Sequence, residues 1–163
     1  MNFSKEQILE ACRTYGPSLL VVSGISGPRV MAALASNESS YGLNCGPRHE
    51  PAYDVNGAIY KSNPLQRNLV KEFGSAAACS YGPWQMMYIN FKGALPSELQ
   101  NDLTLLAQEF VHWFNTYVIK IRHAETVEQI GQVWNLGHIT KEPPPGVLRY
   151  TQDLQKAYDS VEL

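Results

Sequence analysis

Apolar side chains recur at helical spacing along most of the chain, and polar caps, prolines or glycines bound these stretches. The pattern predicts helices over residues 4–14, 28–39, 64–73, 98–121, 126–136 and 147–160. The expected caps include Ser4, in a capping box with Gln7, as well as Asn63 and Thr126. The apolar residues 18–23 are compatible with a further short helix. Residues 98–121 carry the broadest apolar face, so this stretch is expected to be the central core helix, with Ser97 and Gln100 as its capping box.

The two remaining stretches, 42–62 and 75–94, lack helical periodicity and contain several glycines and prolines. The second holds an apolar and aromatic run, residues 81–88, which fits a short strand or a single helical turn. With so little strand signal, the sequence predicts a mainly α fold. No repeat or composition change divides the chain, so residues 1–163 are expected to form a single domain.

One carboxylate falls on an apolar helix face. Met31, Leu34, Ala35 and Glu38 share a face of the 28–39 helix, and only Glu38 is charged. Because Gly42 follows soon after, Glu38 is predicted to lie in the last turn of this helix. Burial and the negative end of the helix dipole would both raise the pKa of Glu38, as a general acid requires. The alternative is a frayed helix end that leaves Glu38 in solvent.

Composition narrows the range of functions. The 163 residues are 44% hydrophobic and 17% charged, which is typical of a globular protein, and the net charge of −2 without a basic run argues against nucleic acid as the main partner. No transmembrane stretch or secretory signal is visible, so membrane insertion is not expected. We expect a monomer. Cys12, Cys45 and Cys79 are expected to be buried thiols, with a Cys45–Cys79 bridge as the alternative.

Four segments follow one another in an order that carries more information than any one of them. They are Glu38-Ser-Ser-Tyr-Gly42, Ser80-Tyr-Gly-Pro-Trp-Gln85-Met-Met87, Val133-Trp-Asn-Leu-Gly137 and Leu148-Arg-Tyr150-Thr-Gln-Asp-Leu154. This order resembles the soluble lytic transglycosylase and goose-type lysozyme superfamily over residues 30–158. The resemblance implies a lysozyme-like, mainly α domain that cleaves the glycan strands of peptidoglycan, without a metal or other cofactor.

The resemblance also assigns roles to single residues. Glu38 matches the catalytic acid and base, and Ser39 matches the serine that helps to hold that glutamate or the substrate. Gly82 and Gln85 match the glycine and glutamine of the loop that lines the sugar-binding groove. The remaining matches are Asn135, for the asparagine of the third motif, and Tyr150, for the family's tyrosine that orients the glutamate.

The chain departs from the family pattern at three places. Pro83 and Trp84 replace a Leu-Met pair, Trp134 replaces a tyrosine, and the stretch 43–78 is longer than in the simplest members. Contacts at these points are therefore expected to differ.

In this family a single carboxylate suffices because the acetamido group of the substrate supports the cationic centre. Glu38 would protonate the leaving oxygen and then deprotonate the muramyl 6-hydroxyl, which closes a 1,6-anhydro ring. If Glu38 activates water instead, the enzyme is a hydrolytic muramidase. Glu50 and Asp54 are the candidates for a second carboxylate, although a structural Glu50 bound to Arg48 or to a backbone amide is the favoured alternative.

Several aromatic residues are candidates for stacking on sugar rings. Tyr81, Trp84 and Tyr88 could stack on sugars or pack in the core, and Tyr53 belongs to the 46–54 loop that is expected to line the groove. Glu109 and His112 form a lone Glu-x-x-His pair, which favours a structural role over a metal site.

These observations predict a peptidoglycan lytic transglycosylase that acts on the cell wall and suits a phage lysis or tail-associated enzyme. A bacterial enzyme processed from a longer precursor is the alternative source. A hydrolytic muramidase on the same fold, or a non-catalytic glycan-binding or virion structural module, remains open as the alternative function.

Overall fold

A computed structural model describes residues 3–163 and shows a mainly helical domain. Its α-helices are α1 Lys5–Tyr15, α2 Gly27–Ser39, α3 Ala58–Ser62, α4 Pro64–Phe73, α5 Pro96–Leu99, α6 Leu103–Trp113, α7 Val127–Leu136 and α8 Pro145–Ser160. Short 3₁₀ turns occupy Gly16–Ser18, Pro51–Tyr53, Gly74–Ala78 and Tyr88–Asn90, and a π-helix covers Phe114–Ile121. The mainly α prediction is confirmed.

Side-chain caps explain where most of these helices begin. Ser4 and Gln7 form the expected capping box on α1. Ser26, Asn63 and Thr126 accept backbone N–H groups at the starts of α2, α4 and α7. Local polar residues therefore set these boundaries, as the sequence pattern predicted for Ser4, Asn63 and Thr126 but not for Ser26.

The single helix expected over 98–121 is wrong. The chain forms α5, breaks at residues 100–102, and restarts as α6 because the Asp102 carboxylate accepts the N–H of Leu105 at 2.9 Å. The Ser97–Gln100 capping box is absent; instead, Glu98 accepts the N–H of Leu95 at 2.7 Å. Aspartate is favoured at an N-cap and disfavoured inside a helix, so Asp102 starts a new helix instead of continuing the first one.

Two other local predictions also fail. Residues 19–23 are not helical, because Asn115 accepts the N–H of Leu20 and donates to the carbonyl of Ser18, which holds this segment extended. The apolar spacing of the 64–73 helix predicts a buried Leu65, but Leu65 is 54% exposed. Its neighbour Gln66 is fully buried and donates to the carbonyls of Tyr53 and Ala77. Apolar periodicity does not detect a buried polar residue whose side chain hydrogen-bonds carbonyl groups in the interior.

A small antiparallel sheet joins the two irregular stretches of the sequence. Its strands are β1 Arg48–His49, β2 Cys79–Tyr81 and β3 Met86–Met87, in the order β1-β2-β3. Arg48 lies opposite Ser80, and Tyr81 lies opposite Met86. The sheet brings the loop after α2 next to the second motif.

The core centres on α2, which packs against both α1 and α8, while α8 also packs along α7. Gly131 permits this last contact. A Cβ atom at Gly131 would lie 3.0 Å from side-chain atoms of both Leu154 and Thr151 on α8. The close approach of α7 and α8 places their residues on the same side of the domain as the end of α2.

Other expectations concern thiols, metals and membranes. Cys12 and Cys45 are buried, and Cys79 is a thiol that donates to the carbonyl of Ser75 at 3.4 Å, so the Cys45–Cys79 bridge does not form. Within residues 3–163, no cluster of three or more His, Cys, Asp or Glu side chains is placed to hold a metal ion. In the same range no helix combines the length and apolarity needed to cross a bilayer.

Candidate active site

Glu38 lies in the last turn of α2, as the sequence predicted. Met31, Leu34 and Ala35 on the same face are fully buried, and Glu38 itself is half-buried. The helix ends at Ser39, and Ser40 adopts a left-handed conformation with φ of 52°. The frayed end with a solvated Glu38 is therefore wrong.

Tyr150 on α8 makes the defining contact of the site. Its hydroxyl donates to Oε1 of Glu38 at 2.5 Å across 112 positions of the sequence. The side chain of Asn37 also donates to the carbonyl of Tyr150, at 3.4 Å. The first and fourth motifs therefore meet, and the tyrosine fixes the orientation of the carboxyl group.

Trp134 also acts on this carboxyl group. It lies on α7, and its polar side chain lowers the pKa of the Glu38 carboxyl group. The group responsible is the indole N–H, because this is the only polar group of a tryptophan side chain. The sequence reasoning noted Trp134 only as a departure from the family pattern, although its place between Val133 and Asn135 was the available signal.

Burial is the main influence on the pKa of Glu38 and raises it above the ordinary value. The hydrogen bond from Tyr150, the charge of Arg48 and the polar side chain of Trp134 lower this pKa, and the charge of Glu50 raises it. Burial and the Glu38 charge also raise the pKa of Tyr150 well above its ordinary value. Tyr150 therefore stays protonated as a donor, while Glu38 holds its proton at higher pH than an exposed glutamate.

Replacing Tyr150 by phenylalanine is expected to raise the pKa of Glu38 further. The hydroxyl stabilises the ionised carboxylate, so its removal leaves burial less opposed. The measurement is an NMR titration of ¹³C-labelled glutamate carboxyl groups. Tyr60→Phe, which changes a half-buried tyrosine on α3, is the matched control. A Glu38 pKa that is unchanged or lower in Tyr150→Phe would contradict the assigned hydrogen bond.

The segment after α2 carries a charged pair close to Glu38. Nε of Arg48 donates to Oε1 of Glu50 at 2.6 Å, which confirms the structural contact considered for Glu50. The charges of both residues also act on the pKa of Glu38. Asp54 is bound elsewhere: its carboxylate pairs with His49 at 2.7 Å and accepts the N–H of Val55. Glu50, and not Asp54, is therefore the second carboxylate near the site.

Ser39 and Gln85 build the loop beside the site and do not contact Glu38. The buried Ser39 hydroxyl donates to the carbonyl of Ala35 and accepts the N–H of Gly42, each at 3.0 Å. Gln85 accepts from the hydroxyl of Ser80 at 2.9 Å and donates to loop carbonyls, including that of Gly82 at 2.9 Å. Neither side chain hydrogen-bonds the Glu38 carboxyl group, and a role of either residue toward the substrate stays a prediction.

Gly82 is required by packing at the turn between β2 and β3. Its φ is +74°, and a Cβ atom there would lie 2.8 Å from a methyl group of Leu106. The turn thus sits directly against α6, which explains the glycine without any contact to a ligand.

Tyr81 and Trp84 are core residues, and the sugar-stacking interpretation of both is wrong. Tyr81 is 2% exposed and donates to the carbonyl of Ala76, while Trp84 is 1% exposed and donates to the carbonyl of Met31 at 2.9 Å. The Trp84 ring lies 4.9 Å from that of Phe110. Tyr88 is also buried, with its hydroxyl on the carbonyl of Ala94. Such rings have no face available to a ligand.

A cavity of about 440 Å³ lies beside Trp134, and different aromatic residues line it. Trp113 and Trp134 meet edge to face at 5.2 Å, and Tyr117 stacks on Trp113 at 5.2 Å. Tyr53 also lines this cavity, as its place in the 46–54 loop predicted, and so does the exposed Asn135. These rings are half-buried and can present a face to a bound molecule.

The sequence reasoning missed Trp113 and Tyr117 because helical spacing placed them on the expected core helix. They lie where α6 passes into the π-helix, a local widening that is frequent at functional sites. The Tyr117 hydroxyl donates to the carbonyl of Gly137 and accepts from Arg122, which fixes the ring at the cavity wall.

The cavity lining contains no charged side chain. The remaining lining residues are Ile59, Asn63, Gln85, Met86, Met87, Ile89, Asn90, Val133, Leu136 and Gly137. Aromatic faces together with amide side chains are suited to an uncharged, polar ring such as an amino sugar carrying an acetamido group. Trp134 lines the cavity and lies close enough to Glu38 to lower the pKa of its carboxyl group, so this group is adjacent to one wall of the cavity, outside the lining.

A larger and more open cavity of about 850 Å³ lies between α1 and the start of α6. Its carboxylates include Glu6, whose pKa is lowered by backbone hydrogen bonding, and Glu10, which pairs with Arg13 at 3.1 Å. The lowered pKa of Glu6 does not suit a proton donor, and Glu10 is engaged by Arg13, so the smaller cavity beside Glu38 is the better candidate.

No protein family, curated protein or solved structure matches the chain when its sequence and fold are compared with those of known proteins.

Proposed function

We propose that the protein cleaves the β-1,4 linkage between N-acetylmuramic acid and N-acetylglucosamine in peptidoglycan, as a lytic transglycosylase. The observation that carries the proposal is the hydrogen bond from Tyr150 to Glu38. It joins the two motifs that the family resemblance pairs as acid and orienting tyrosine. The aromatic, uncharged cavity next to Glu38 supports a carbohydrate ligand.

In the proposed mechanism Glu38 acts first as an acid. Its raised pKa keeps a proton available for the glycosidic oxygen, and transfer of that proton breaks the bond to the anomeric carbon. The acetamido oxygen of the same sugar supports the cationic centre. Tyr150 and Trp134 then stabilise the carboxylate that remains, because Tyr150 donates a hydrogen bond to it and the Trp134 side chain favours its ionised form.

Glu38 acts next as a base. It removes the proton of the muramyl 6-hydroxyl, whose oxygen bonds to the anomeric carbon and closes the 1,6-anhydro ring. The carboxyl group regains its proton, and no water is consumed. Activity should therefore fall as the pH rises through the pKa of Glu38 in the substrate-free enzyme, since the first step needs the protonated form.

A hydrolytic muramidase is the second candidate, and the proximity of Glu50 favours it. The charge of Glu50 acts on Glu38, so a second carboxylate is present near the acid and could activate water. Against this role, Oε1 of Glu50 is bound to Arg48 at 2.6 Å.

We place the protein at the cell wall, with a phage lysis or tail-associated enzyme as the proposed source.

The products and one variant separate the two candidates. Digested peptidoglycan is expected to carry 1,6-anhydro-muramyl ends, which mass spectrometry identifies by their mass, lower by one water than that of reducing ends. Glu50→Gln is expected to retain activity within a few-fold, because a single carboxylate performs both proton transfers. Reducing ends together with a loss of about 100-fold or more in Glu50→Gln would establish the hydrolase with Glu50 as its base.

A further inference from the structure

Arg48 is a charged side chain beside the acid that the proposed mechanism does not use. It lies on β1 opposite Ser80, whose hydroxyl is 3.5 Å from the Arg48 carbonyl and donates to Gln85 at 2.9 Å. Gln85 lines the cavity. The backbone of Arg48 is therefore tied to the rim of the cavity through two side chains.

The guanidinium group of Arg48 is only partly engaged. Its side chain is 57% exposed, and Nε donates to Glu50. Among residues 3–163, the two terminal nitrogens of Arg48 make no hydrogen bond to another side chain or to the backbone. The two terminal nitrogens form a planar pair of N–H donors, and an unoccupied pair of this kind matches the geometry of a carboxylate.

The partition of charge around the site suggests what Arg48 recognises. The cavity lining is uncharged, whereas Arg48, outside this lining, carries a positive charge that acts on Glu38 beside the cavity. In the glycan proposed above, the two sugars differ in the same way. N-acetylglucosamine is neutral, and N-acetylmuramic acid carries a lactyl group that ends in a carboxylate or in a peptide stem with carboxylates of its own.

We propose that Arg48 binds a carboxylate on the O3 substituent of the muramyl sugar and so selects anionic glycan strands over neutral ones. This inference rests on the proposed function. Glu50 holds the guanidinium group in place through Nε and leaves the terminal nitrogens directed to the ligand. Arg48 is thus a specificity-determining residue and takes no part in the proton transfers.

The test compares two matched pairs of substrates. The first pair is stripped glycan strands with free lactyl carboxylates and the same strands converted to neutral methylamides. The second pair is stem-bearing strands with native and with amidated stem carboxylates. The pair in which the wild-type protein shows a preference identifies whether the lactyl group or the stem supplies the carboxylate.

Wild-type protein is expected to cleave the carboxylated member of at least one pair with a kcat/KM about 10- to 100-fold higher. Arg48→Gln should reduce this preference to near parity, because it lowers kcat/KM more on the carboxylated member than on the amidated one. Arg48→Lys should keep part of it, since lysine retains the charge but not the fork. Arg13→Gln, which changes an exposed arginine paired with Glu10 on α1, is the control and should leave the preference intact.

The ratio within a pair removes any effect of Arg48 on Glu38, because both members depend on the same acid. Equal losses on both members in Arg48→Gln, or no wild-type preference in either pair, would overturn the inference. If the wild-type protein cleaves none of the four substrates, the proposed function fails. Calorimetric titration of the uncut strands then tests Arg48 separately, by whether Arg48→Gln abolishes a tighter binding of the carboxylated member.

Discussion

Glu38→Gln is expected to lower glycan-cleaving activity by about 10²–10⁴-fold, because the amide can neither donate the proton to the leaving oxygen nor remove the second one. Tyr150 can still donate to the amide oxygen, so the geometry around the side chain is preserved. The measurement is the rate of release of soluble muropeptides from purified peptidoglycan. Glu10→Gln, on the exposed face of α1, is the matched control and should retain full activity.

Stability measurements separate this loss of activity from unfolding. The pKa of Glu38 is raised in the folded protein, so its contribution to stability is fully present below the unfolded pKa and is lost as the pH rises through the folded pKa. Glutamine cannot ionise. The free energy of unfolding of Glu38→Gln should therefore equal that of the wild type at acidic pH and be at least as large at neutral pH. Full activity in a folded Glu38→Gln protein would reject the proposed enzyme and favour the non-catalytic glycan-binding or virion structural module.

Trp84→Ala is expected to destabilise the protein by about 3–5 kcal/mol, the range for removing a large aromatic side chain from a core. Trp84 is 1% exposed and packs against Phe110, and its indole N–H donates to the carbonyl of Met31 on α2. Chemical denaturation followed by circular dichroism measures the loss. Trp84→Phe should cost less, because a ring still faces Phe110.

Trp134 provides the contrast to Trp84. It is half-buried at the wall of the cavity, so Trp134→Ala should cost less stability than Trp84→Ala while weakening glycan binding. A Trp84→Ala protein that kept its stability but lost glycan binding would place Trp84 in the groove and contradict the core assignment.

Short-range features of the fold could be predicted from the sequence. The capping residues Ser4, Asn63 and Thr126 begin their helices as expected, because a cap acts on N–H groups within three residues of itself. The same local logic placed Glu38 in the last turn of α2. It failed at residues 98–121, where Asp102 caps a new helix inside one apolar pattern.

Burial of aromatic residues could not be predicted in this way. Tyr81 and Trp84 sit beside Gly82 and Gln85 in a motif that resembles a groove loop, yet both are buried because the β2–β3 turn packs directly on α6. Trp113 and Tyr117 have the spacing of core residues and are partly open to the cavity. Helical or strand periodicity gives the face of an element but not what covers that face.

The sequence by itself determined the mainly helical fold, most helix starts and the position of Glu38 on a buried face at a helix end. These features depend on caps and apolar spacing within a few residues. The tertiary structure alone decided that Tyr150 donates to Glu38, that Trp134 lies beside it, that Arg48 holds Glu50 near it, and that an uncharged aromatic cavity adjoins it. These contacts join residues up to 112 positions apart, and they form only because α7 and α8 pack closely enough to bring their side chains to the end of α2.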